Sequence, residues 1–386
     1  MKIRYLESFY GGSHRDVADG IARRSRHDIE LVTMPARFWR WRMRAAGVHF
    51  AREIQAVGGR SAGAASEAIG SADLIVCTGL MNVADLAALL GASCSGAARP
   101  GGQVPPILLY AHETQLGYPS PDGRRAGRDA DLHFAFTDLT NMLAADHVAF
   151  NSETHRNAYL ASLPEFLKRV PEFSPVWVTD EIAARSSVCH PGIRVSEVAR
   201  DADGDPPLIL WNHRWEYDKD PAAFFMALRV ARERGCAFRL ALLGESPGRE
   251  PDEFATARSE LSSHLVHYGY VESRDEYEAW LRAADIVVST AVQENFGIAV
   301  VEAIAHGALP LLPNRLSYPE IIPARHHGCL YEDGQLPDRL CDLLRRPAET
   351  RRPPADLVAH ARSFSWEERI GAFDALFDHV AGGGRA

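Results

Sequence analysis

The chain has 386 residues, which is more than one ordinary hydrophobic core holds and enough for two domains. Its 46% hydrophobic and 24% charged residues are typical of a globular protein, and a formal net charge of -9 argues against indiscriminate nucleic-acid binding. No apolar run approaches the roughly 20 residues of a membrane span, the start lacks a signal-peptide pattern, and the 6 cysteines form no CxxC pair. We therefore expect a cytoplasmic protein without stable membrane insertion.

The first half of the chain alternates short apolar runs with segments of helical periodicity. The predicted strands are 3–6, 29–34, 72–78, 106–112, 147–152 and 186–193, and the predicted helices include 82–91, 133–146 and 153–170. This alternation is typical of a parallel sheet covered by helices on both faces. We predict a Rossmann-like N-terminal domain over residues 1–194.

A polar segment rich in Asp, Gly and Pro, residues 195–207, is predicted to be the interdomain linker. The alternation then restarts, with strands 208–213, 238–244, 265–270, 285–290 and 308–313 and helices 221–234, 252–262, 273–284 and 297–306. We predict a second Rossmann-like domain over 208–363 and, in 364–386, an amphipathic helix that packs back on the first domain. Two doubly wound α/β domains that face each other bind ligands at the carboxyl ends of their strands.

Two glycines follow the first predicted strand, in the stretch FYGGSHRD. Gly11 and Gly12 permit a close backbone approach or a positive φ. Ser13 can cap the next helix, and Asp16 would complete a capping box. A helix N-terminus of this kind binds anions, although an ordinary turn between strand and helix is the alternative. The absence of a G-x-G-x-x-G pattern counts against a nicotinamide enzyme.

A cationic loop follows the first strand of the second half, in WNHRWEYDKDP. Arg214 and Lys219 lie five residues apart, before a helix that Pro221 opens. Paired cations can neutralise a diphosphate leaving group as its bond breaks. The alternative is a pair of solvated loop cations.

Two glutamates follow a later strand, in QENFGIAVVEA. Glu294 lies in a loop and Glu302 inside a helix, and on one continuous helix they would be ~12 Å apart. We therefore expect each to bind different hydroxyls of one extended ligand, such as a sugar nucleotide. Backbone amides at the helix start can assist, and they belong to Asn295, Phe296 and Gly297.

A histidine and a glutamate end the strand before the middle helix of the first half, in YAHETQLGYP. His112 and Glu113 could transfer protons or hydrogen-bond a substrate hydroxyl, although a histidine at a strand end can also be structural. No carboxylate cluster has the spacing of a metal site: the segment DADGD, 201–205, departs from the calcium-loop pattern at its glycine and at its twelfth position. We expect no metal and no cofactor.

The Arg-x4-Lys and Glu-x7-Glu spacings resemble the donor site of family-4 retaining glycosyltransferases, whose GT-B fold has two facing Rossmann-like domains. The blocks ESFYGGSHR, PARFWRWRMR, HETQLGYP, HRWEYDKDP, ENFGIAVVEA and YPEIIP resemble the queuosine-tRNA mannosyltransferase family more narrowly. They run from residue 7 to about residue 323. The chain departs from the family pattern at Thr114, where asparagine is expected, and at Asn295, where an aromatic residue is expected.

The resemblance implies transfer of mannose from GDP-mannose to the cyclopentenediol of queuosine in a tRNA anticodon, with retention and without a metal. It implies catalytic roles for His112, Arg214, Lys219 and Glu294. Donor binding would involve Gly11, Gly12, Ser13, Asn295, Phe296, Gly297 and Glu302. Glu113 and Gln115 would contact the acceptor.

The stretch RFWRWRMRA, 37–45, interleaves arginines with tryptophans. Its candidate tRNA-binding residues are Arg37, Trp39, Arg40, Trp41, Arg42 and Arg44. They can hold phosphates and stack on the unpaired bases of an anticodon loop. In a second interpretation Phe38 and Trp41 pack inward and the arginines are solvated, and in a third the stretch contacts an anionic membrane.

The predicted function is therefore tRNA-queuosine alpha-mannosyl transfer. Two alternatives stay open from the residues. One is a mannosyl- or glucosyltransferase of the same fold that acts on a lipid or a small molecule. The other is a non-catalytic module that binds tRNA.

Overall fold

The computed structural model describes residues 1–57, 72–91, 104–118, 129–198, 204–245, 250–346 and 348–383. The chain forms two compact units. The first comprises Met1–Gly192 together with Trp366–Ala386, and the second comprises Ile193–Ser365. The division therefore lies two residues before the predicted domain end at residue 194. The described residues of the expected linker, 195–198 and 204–207, belong to the second unit.

The first unit is built on a parallel sheet of six strands in the order β2-β1-β3-β4-β5-β6. The strands are β1 (Lys2–Tyr10), β2 (Asp28–Pro35), β3 (Leu74–Thr78), β4 (Ile107–Ala111), β5 (His147–Phe150) and β6 (Ser186–Val188). The described helices are α1 (Gly12–Arg24), α2 (Trp39–Val57), α3 (Val83–Gly91), α4 (Asp129–Ala144), α5 (Glu153–Leu167), α6 (Val178–Ala184) and the C-terminal α14 (Trp366–Ala381).

Strands β3 and β4 form the centre of this sheet and are buried along their whole length. Their sequences, LIVCT and ILLYA, lack the apolar and polar alternation of a sheet with one wet face, because helices cover both faces. The predicted parallel sheet is confirmed. A helix that the sequence analysis did not predict, α2, also packs on this unit through the buried Met43, Ala46 and Phe50.

The C-terminal helix α14 completes the first unit. It packs on α1, β3 and β4, and its first residue, Trp366, is fully buried. A Cβ atom at Gly20 would lie 2.0 Å from the Trp366 ring, and one at Gly192 would lie 2.2 Å from it. The indole therefore fits only because both positions lack a side chain.

The second unit repeats the architecture, with a parallel sheet in the order β12-β11-β10-β7-β8-β9. The strands are β7 (Leu208–Trp211), β8 (Arg239–Leu243), β9 (Leu265–Gly269), β10 (Ile286–Val288), β11 (Leu309–Pro313) and β12 (Leu330–Tyr331). The α-helices are α7 (Pro221–Glu233), α8 (Asp252–Glu260), α9 (Arg274–Ala283), α10 (Ile298–Ala305), α11 (Tyr318–Ile321), α12 (Leu336–Leu344) and α13 (Ala355–Arg362). Three short 3-10 turns cover Tyr217–Lys219, Ala324–Cys329 and Ala348–Arg351.

A stack of aromatic rings fills the core on one face of the second sheet. Trp211 stacks on Phe224 and Phe254, with ring centroids 4.9 and 5.1 Å away, and Trp215 stacks on Phe254 at 4.2 Å. Such rings contribute large buried areas and fix the geometry of the elements that carry them. They hold the chain that leaves β7 at residues 211–215, which is where the predicted cationic loop begins.

Among the helices of the described ranges, none combines the length and the apolar character that a membrane span requires.

Candidate functional site

The glycine turn of the first unit lies between β1 and α1. The helix begins at Gly12, whose φ of +50° is one that glycine adopts without strain, so Ser13 lies in the first turn and not at the cap. The capping box predicted for Ser13 and Asp16 is therefore wrong. Gly11 is the capping residue and provides no side-chain hydrogen bond; a Cβ there would lie 2.4 Å from that of Ala36. The turn thus presents backbone at a helix N-terminus, where anions bind.

An ionic cluster lies beside this turn, and the sequence analysis missed two of its members, Glu7 and His14. The Nδ1 atom of His14 lies 3.2 Å from the Glu7 carboxylate, and its Nε2 atom lies 3.2 Å from Glu113 Oε2. The Glu7 side chain is fully buried, that of His14 is 6% exposed, and that of Glu113 is 28% exposed. Glu7 also accepts hydrogen bonds from the Thr78 hydroxyl and the Phe9 amide.

The predicted catalytic residue His112 stacks on His14, with ring centroids 4.1 Å apart and an angle of 27° between the rings. The two imidazoles differ in charge. Burial lowers the pKa of His14, but the carboxylates of Glu7 and Glu113 outweigh that effect and raise it to about 10. Burial lowers the pKa of His112 well below its usual value, and the neighbouring His14 and His155 lower it further. His14 is therefore protonated at neutral pH and His112 is neutral.

The same cluster offers metal-ligand atoms. Within the described ranges, one such atom from each of Glu7, His14 and His112 lies within 4.8 Å of the others. Both nitrogens of His14 face carboxylates, however, and its ring lies flat against that of His112. A metal ligand must present an unprotonated nitrogen to the ion, so this geometry suits a protonated imidazole and not a ligand.

The loop after β4 carries the predicted acceptor residues Glu113 and Gln115. The buried Asp138 of α4 holds this loop, since its Oδ2 accepts hydrogen bonds from the amides of Gln115 at 2.5 Å and Leu116 at 3.2 Å. Burial raises the pKa of Asp138 to about 8, although the two amides oppose the shift. Thr114, the departure from the family pattern, is buried, and its hydroxyl lies 3.2 Å from His155 Nε2. At this position the hydroxyl therefore has an internal partner.

The arginine and tryptophan stretch covers the beginning of α2 and the two residues before it. Phe38 and Trp41 are 70% and 74% exposed, so the interpretation in which they pack inward is wrong. Trp39 lies 5.3 Å from the ring of Phe134, and Arg40 lies over Trp39 at 5.2 Å.

The arginines of this stretch differ in exposure. Arg37, Arg40 and Arg44 are exposed, whereas Arg42 is half-buried and donates to the Pro35 carbonyl at 3.3 Å. We refer to the exposed face of 37–44 as the α2 surface. It combines exposed aromatic rings with guanidinium groups on one part of the first unit.

In the second unit, Lys219 ends the 3-10 turn after β7 and is 9% exposed. Its ammonium group lies 2.7 Å from the Gln293 carbonyl, 3.2 Å from Asp218 Oδ2 and 3.3 Å from Glu294 Oε2. Burial lowers the pKa of Lys219, but the Glu294 and Asp218 carboxylates outweigh that effect and raise it. The structure thus brings together two predicted site residues that are 75 positions apart.

The second predicted cation, Arg214, is 53% exposed and pairs with Glu216 at 3.1 Å. Its positive charge acts on Lys219 and lowers the pKa of that residue, against the effect of the carboxylates. Burial lowers the pKa of the preceding residue, His213, to about 3, and the positive charges of Lys219 and Arg214 add to that decrease. The loop therefore offers one buried cation and one accessible cation, with a neutral histidine close to both.

Glu302 lies within α10 and is 5% exposed. Its partner is Arg274, which donates to Glu302 at 2.6 Å and also pairs with Glu278 at 2.8 Å. The sequence analysis missed Arg274, because the 28 positions between it and Glu302 carry no local pattern. Glu294 and Glu302 thus have different cationic partners, Lys219 for the first and Arg274 for the second.

The residues before α10 differ in what they contact. Gly297 caps the helix with a φ of +93°, and the side-chain oxygen of Asn295 accepts a hydrogen bond from the side-chain amide of Gln293 at 3.0 Å. Phe296 is buried 5.3 Å from Phe364, and its carbonyl accepts a hydrogen bond from Ser317. The side chain of Phe296 is therefore part of the core and not a ligand contact.

Comparison with known proteins places this geometry in a family. The family model described as tRNA-queuosine alpha-mannosyltransferase N-terminal matches residues 2–193, and the model described as glycosyl transferases group 1 matches residues 195–364. A tRNA-queuosine alpha-mannosyltransferase of Drosophila melanogaster is 33% identical over 395 residues, which cover 98% of this chain and 97% of the relative. The chain belongs to the tRNA-queuosine alpha-mannosyltransferase family.

Relatives outside this family match less of the chain or match only its fold. A GDP-mannose-dependent alpha-(1-6)-phosphatidylinositol dimannoside mannosyltransferase of Mycobacterium tuberculosis is 25% identical over 220 residues, 54% of this chain and 55% of that relative. The sucrose-phosphate synthase of Thermosynechococcus elongatus has a TM-score of 0.70 at 15% identity, covering 99% of this chain and 100% of that chain. The predicted glycosyltransferase class and GT-B type of fold are confirmed.

Proposed function

We propose that this chain transfers a mannosyl group from GDP-mannose to queuosine in tRNA. The observation that carries the proposal is the match to the tRNA-queuosine alpha-mannosyltransferase of Drosophila melanogaster. That match spans both units and nearly all of both chains. The GDP-mannose-dependent mannosyltransferase of Mycobacterium tuberculosis, which resembles part of this chain, favours GDP-mannose as the donor. A tRNA acceptor would place the reaction in the cytoplasm.

The second unit would bind the donor. We propose that Lys219 and Arg214 neutralise the diphosphate of GDP-mannose, in place of a divalent cation. Lys219 is fixed by its contacts with Gln293 and Glu294, whereas the exposed Arg214 can turn toward a phosphate. The Arg274–Glu302 pair would present one buried carboxylate oxygen to the ribose hydroxyls. Glu294 and the amides of 295–297 would bind the mannose.

The configuration at the mannose C1 is retained if the acceptor attacks on the face from which GDP leaves. In that step the bond between the mannose C1 and the phosphate oxygen breaks as the bond from C1 to the acceptor oxygen forms. The leaving phosphate oxygen takes the acceptor proton, so protons and charges balance without a separate base. His112 would contact the sugar as a neutral imidazole, because its low pKa leaves it uncharged beside His14.

The first unit would bind the acceptor through the α2 surface. Phe38 and Trp41 are the exposed rings on which unpaired bases can stack, and exposed arginines surround them. An overall charge of -9 disfavours general RNA binding, so a local basic surface suits recognition of one loop. Glu113 and Gln115 would then contact the queuosine itself.

The test uses purified protein, labelled GDP-mannose and tRNA from cells that either contain or lack queuosine. We expect label only in the queuosine-containing tRNA. Arg214→Ala should abolish the transfer but leave tRNA affinity unchanged, since Arg214 belongs to the proposed donor site. Label in a lipid extract would instead support the lipid acceptor, and a protein that binds tRNA but transfers no label would support the non-catalytic module.

A further inference from the structure

The ionic cluster of the first unit draws its members from three separate segments. Glu7 comes from β1, His14 from the first turn of α1, and His112 and Glu113 from the loop that follows β4. His14 contacts the other three: it pairs with both carboxylates and stacks on the imidazole. One side chain therefore joins two residues that the sequence assigned to substrate.

We infer that His14 is a positioning residue, which acts as a cationic clamp between Glu7 and Glu113 and fixes both the acceptor-side carboxylate and the ring of His112. The inference rests on the proposed function, in which Glu113 and His112 contact substrate. His14 itself is 6% exposed and acts through these neighbours.

The charge of the clamp is maintained against two opposing effects. His14 is buried, and it lies in the first turn of α1, where the helix dipole disfavours a cation. The fully buried Glu7 compensates, because hydrogen bonds from Thr78 and Phe9 hold its carboxylate in place. Because Glu7 and Glu113 together outweigh burial, this site stabilises the protonated form of His14.

Glu113 is the member that substrate can reach, with 28% of its side chain exposed. The contact of 3.2 Å with His14 Nε2 orients this loop carboxylate through its Oε2 atom. A carboxylate so oriented can accept hydrogen bonds from both hydroxyls of a vicinal diol. The clamp thus reduces the loss of side-chain conformational entropy that accompanies acceptor binding.

His112 is fixed on its other sides as well. Tyr110 meets its ring edge-on at 4.9 Å, and Asn151 donates to its carbonyl at 2.8 Å. The protonated His14 ring against its face disfavours a second positive charge. His112 can therefore hydrogen-bond a sugar hydroxyl in the same neutral form across the physiological pH range.

Two substitutions of His14 separate its contact with Glu7 from its contact with Glu113. The amide nitrogen of asparagine can reach the position of Nδ1, so His14→Asn keeps a donor for Glu7 and loses the one for Glu113. The longer glutamine places its amide near Nε2, so His14→Gln keeps the Glu113 contact and loses the other. The matched control is His326→Gln, at a surface ion pair of the second unit.

Steady-state transfer is measured for tRNA and GDP-mannose separately. We expect His14→Asn to raise the KM for tRNA about tenfold, as the loss of one charge-assisted hydrogen bond would. The KM for GDP-mannose should rise less, because His112 loses its stacking partner but keeps its contacts with Tyr110 and Asn151. His14→Gln should have the smaller effect on tRNA, and His326→Gln should match the parent protein. An unchanged KM for tRNA in His14→Asn, or a change confined to GDP-mannose, would overturn the inference.

A second measurement does not depend on transfer. Histidine-labelled NMR spectra should show the His14 ring protonated at pH 8 in the parent protein, and Glu7→Gln, which keeps the shape of Glu7, should remove that protonation. A neutral His14 ring in the parent protein would overturn the clamp. If the parent protein transfers no mannose to tRNA, the proposed function fails, and these spectra alone decide whether the clamp exists.

Discussion

Both units bury a cation between two carboxylates where strands of the sheet end. The carboxylates are those of Asp218 and Glu294 around Lys219, and those of Glu7 and Glu113 around His14. The ordinary pKa of a lysine ammonium lies well above neutral pH, and the carboxylates raise that of Lys219 further, whereas the imidazole of His14 is charged at neutral pH only because its neighbours raise its pKa to about 10. The comparison shows that similar geometry gives a fixed charge in one unit and a conditional charge in the other.

The largest effect should come from removing the fixed charge. Lys219→Met leaves Asp218 and Glu294 without their shared counter-charge, which should cost about 3–5 kcal/mol of the free energy of unfolding. Transfer should fall by about 10³-fold, because the leaving diphosphate loses a buried cation. Urea unfolding and single-turnover transfer measure the two losses.

Lys219→Arg is the matched control for this substitution. It keeps the charge, so most of the stability should return even if transfer stays slow. Full activity in Lys219→Met would show that transfer does not depend on the fixed charge of the second unit.

The conditional charge should be visible in the pH dependence of stability. The folded-state pKa of His14 is about 10, above the ordinary value of 6.5. Its contribution is therefore fully present below pH 6.5 and is lost as the pH rises through 10. Between pH 7 and pH 10 the parent protein should lose on the order of a few kcal/mol more than His14→Asn does.

Chemical denaturation at a series of pH values measures that difference, and subtracting the two curves cancels the other titrating groups. Parallel curves for the two proteins would contradict the raised pKa and with it the contrast between the units.

The smallest effect concerns the exposed arginines of the α2 surface, which pair with no carboxylate among the described residues. Arg40→Ala combined with Arg44→Ala removes two exposed guanidinium groups of the α2 surface and should weaken tRNA binding about tenfold. The slope of log K against log salt should become shallower by about 1.5, which corresponds to two lost phosphate contacts. Stability should hardly change, because both side chains are exposed.

Arg258→Ala is the control for that pair. Arg258 lies over the ring of Tyr268 at 4.9 Å in the second unit, much as Arg40 lies over Trp39. The same salt slope in the double variant and in the parent protein would remove the α2 surface from the proposed tRNA interface.

Most of the fold could be predicted from local pattern. Strands such as β3 and β4 are continuous apolar runs, and each predicted strand of the first sheet corresponds to an observed one. The helix α2 was not predicted, because arginines and tryptophans interrupt its apolar pattern, although Met43, Ala46 and Phe50 recur at helical spacing on its buried side.

The candidate site was less predictable, because its contacts join distant positions. His14 and Glu113 are 99 positions apart, and Arg274 and Glu302 are 28 apart. Glu294, Glu302 and Lys219 could be named because their spacing within short motifs resembles a known donor site. Their partners follow only from the order of strands in each sheet, which brings remote loops to a common edge.

The position of Trp366 has a consequence for synthesis on the ribosome. The first unit contains residues 1–192, yet the indole that fills the space between Gly20 and Gly192 lies beyond the whole of the second unit. The core of the first unit therefore cannot be completed before the 193–365 segment has been synthesised. Synthesis of α14, and not of the last strand of the first sheet, supplies its missing ring.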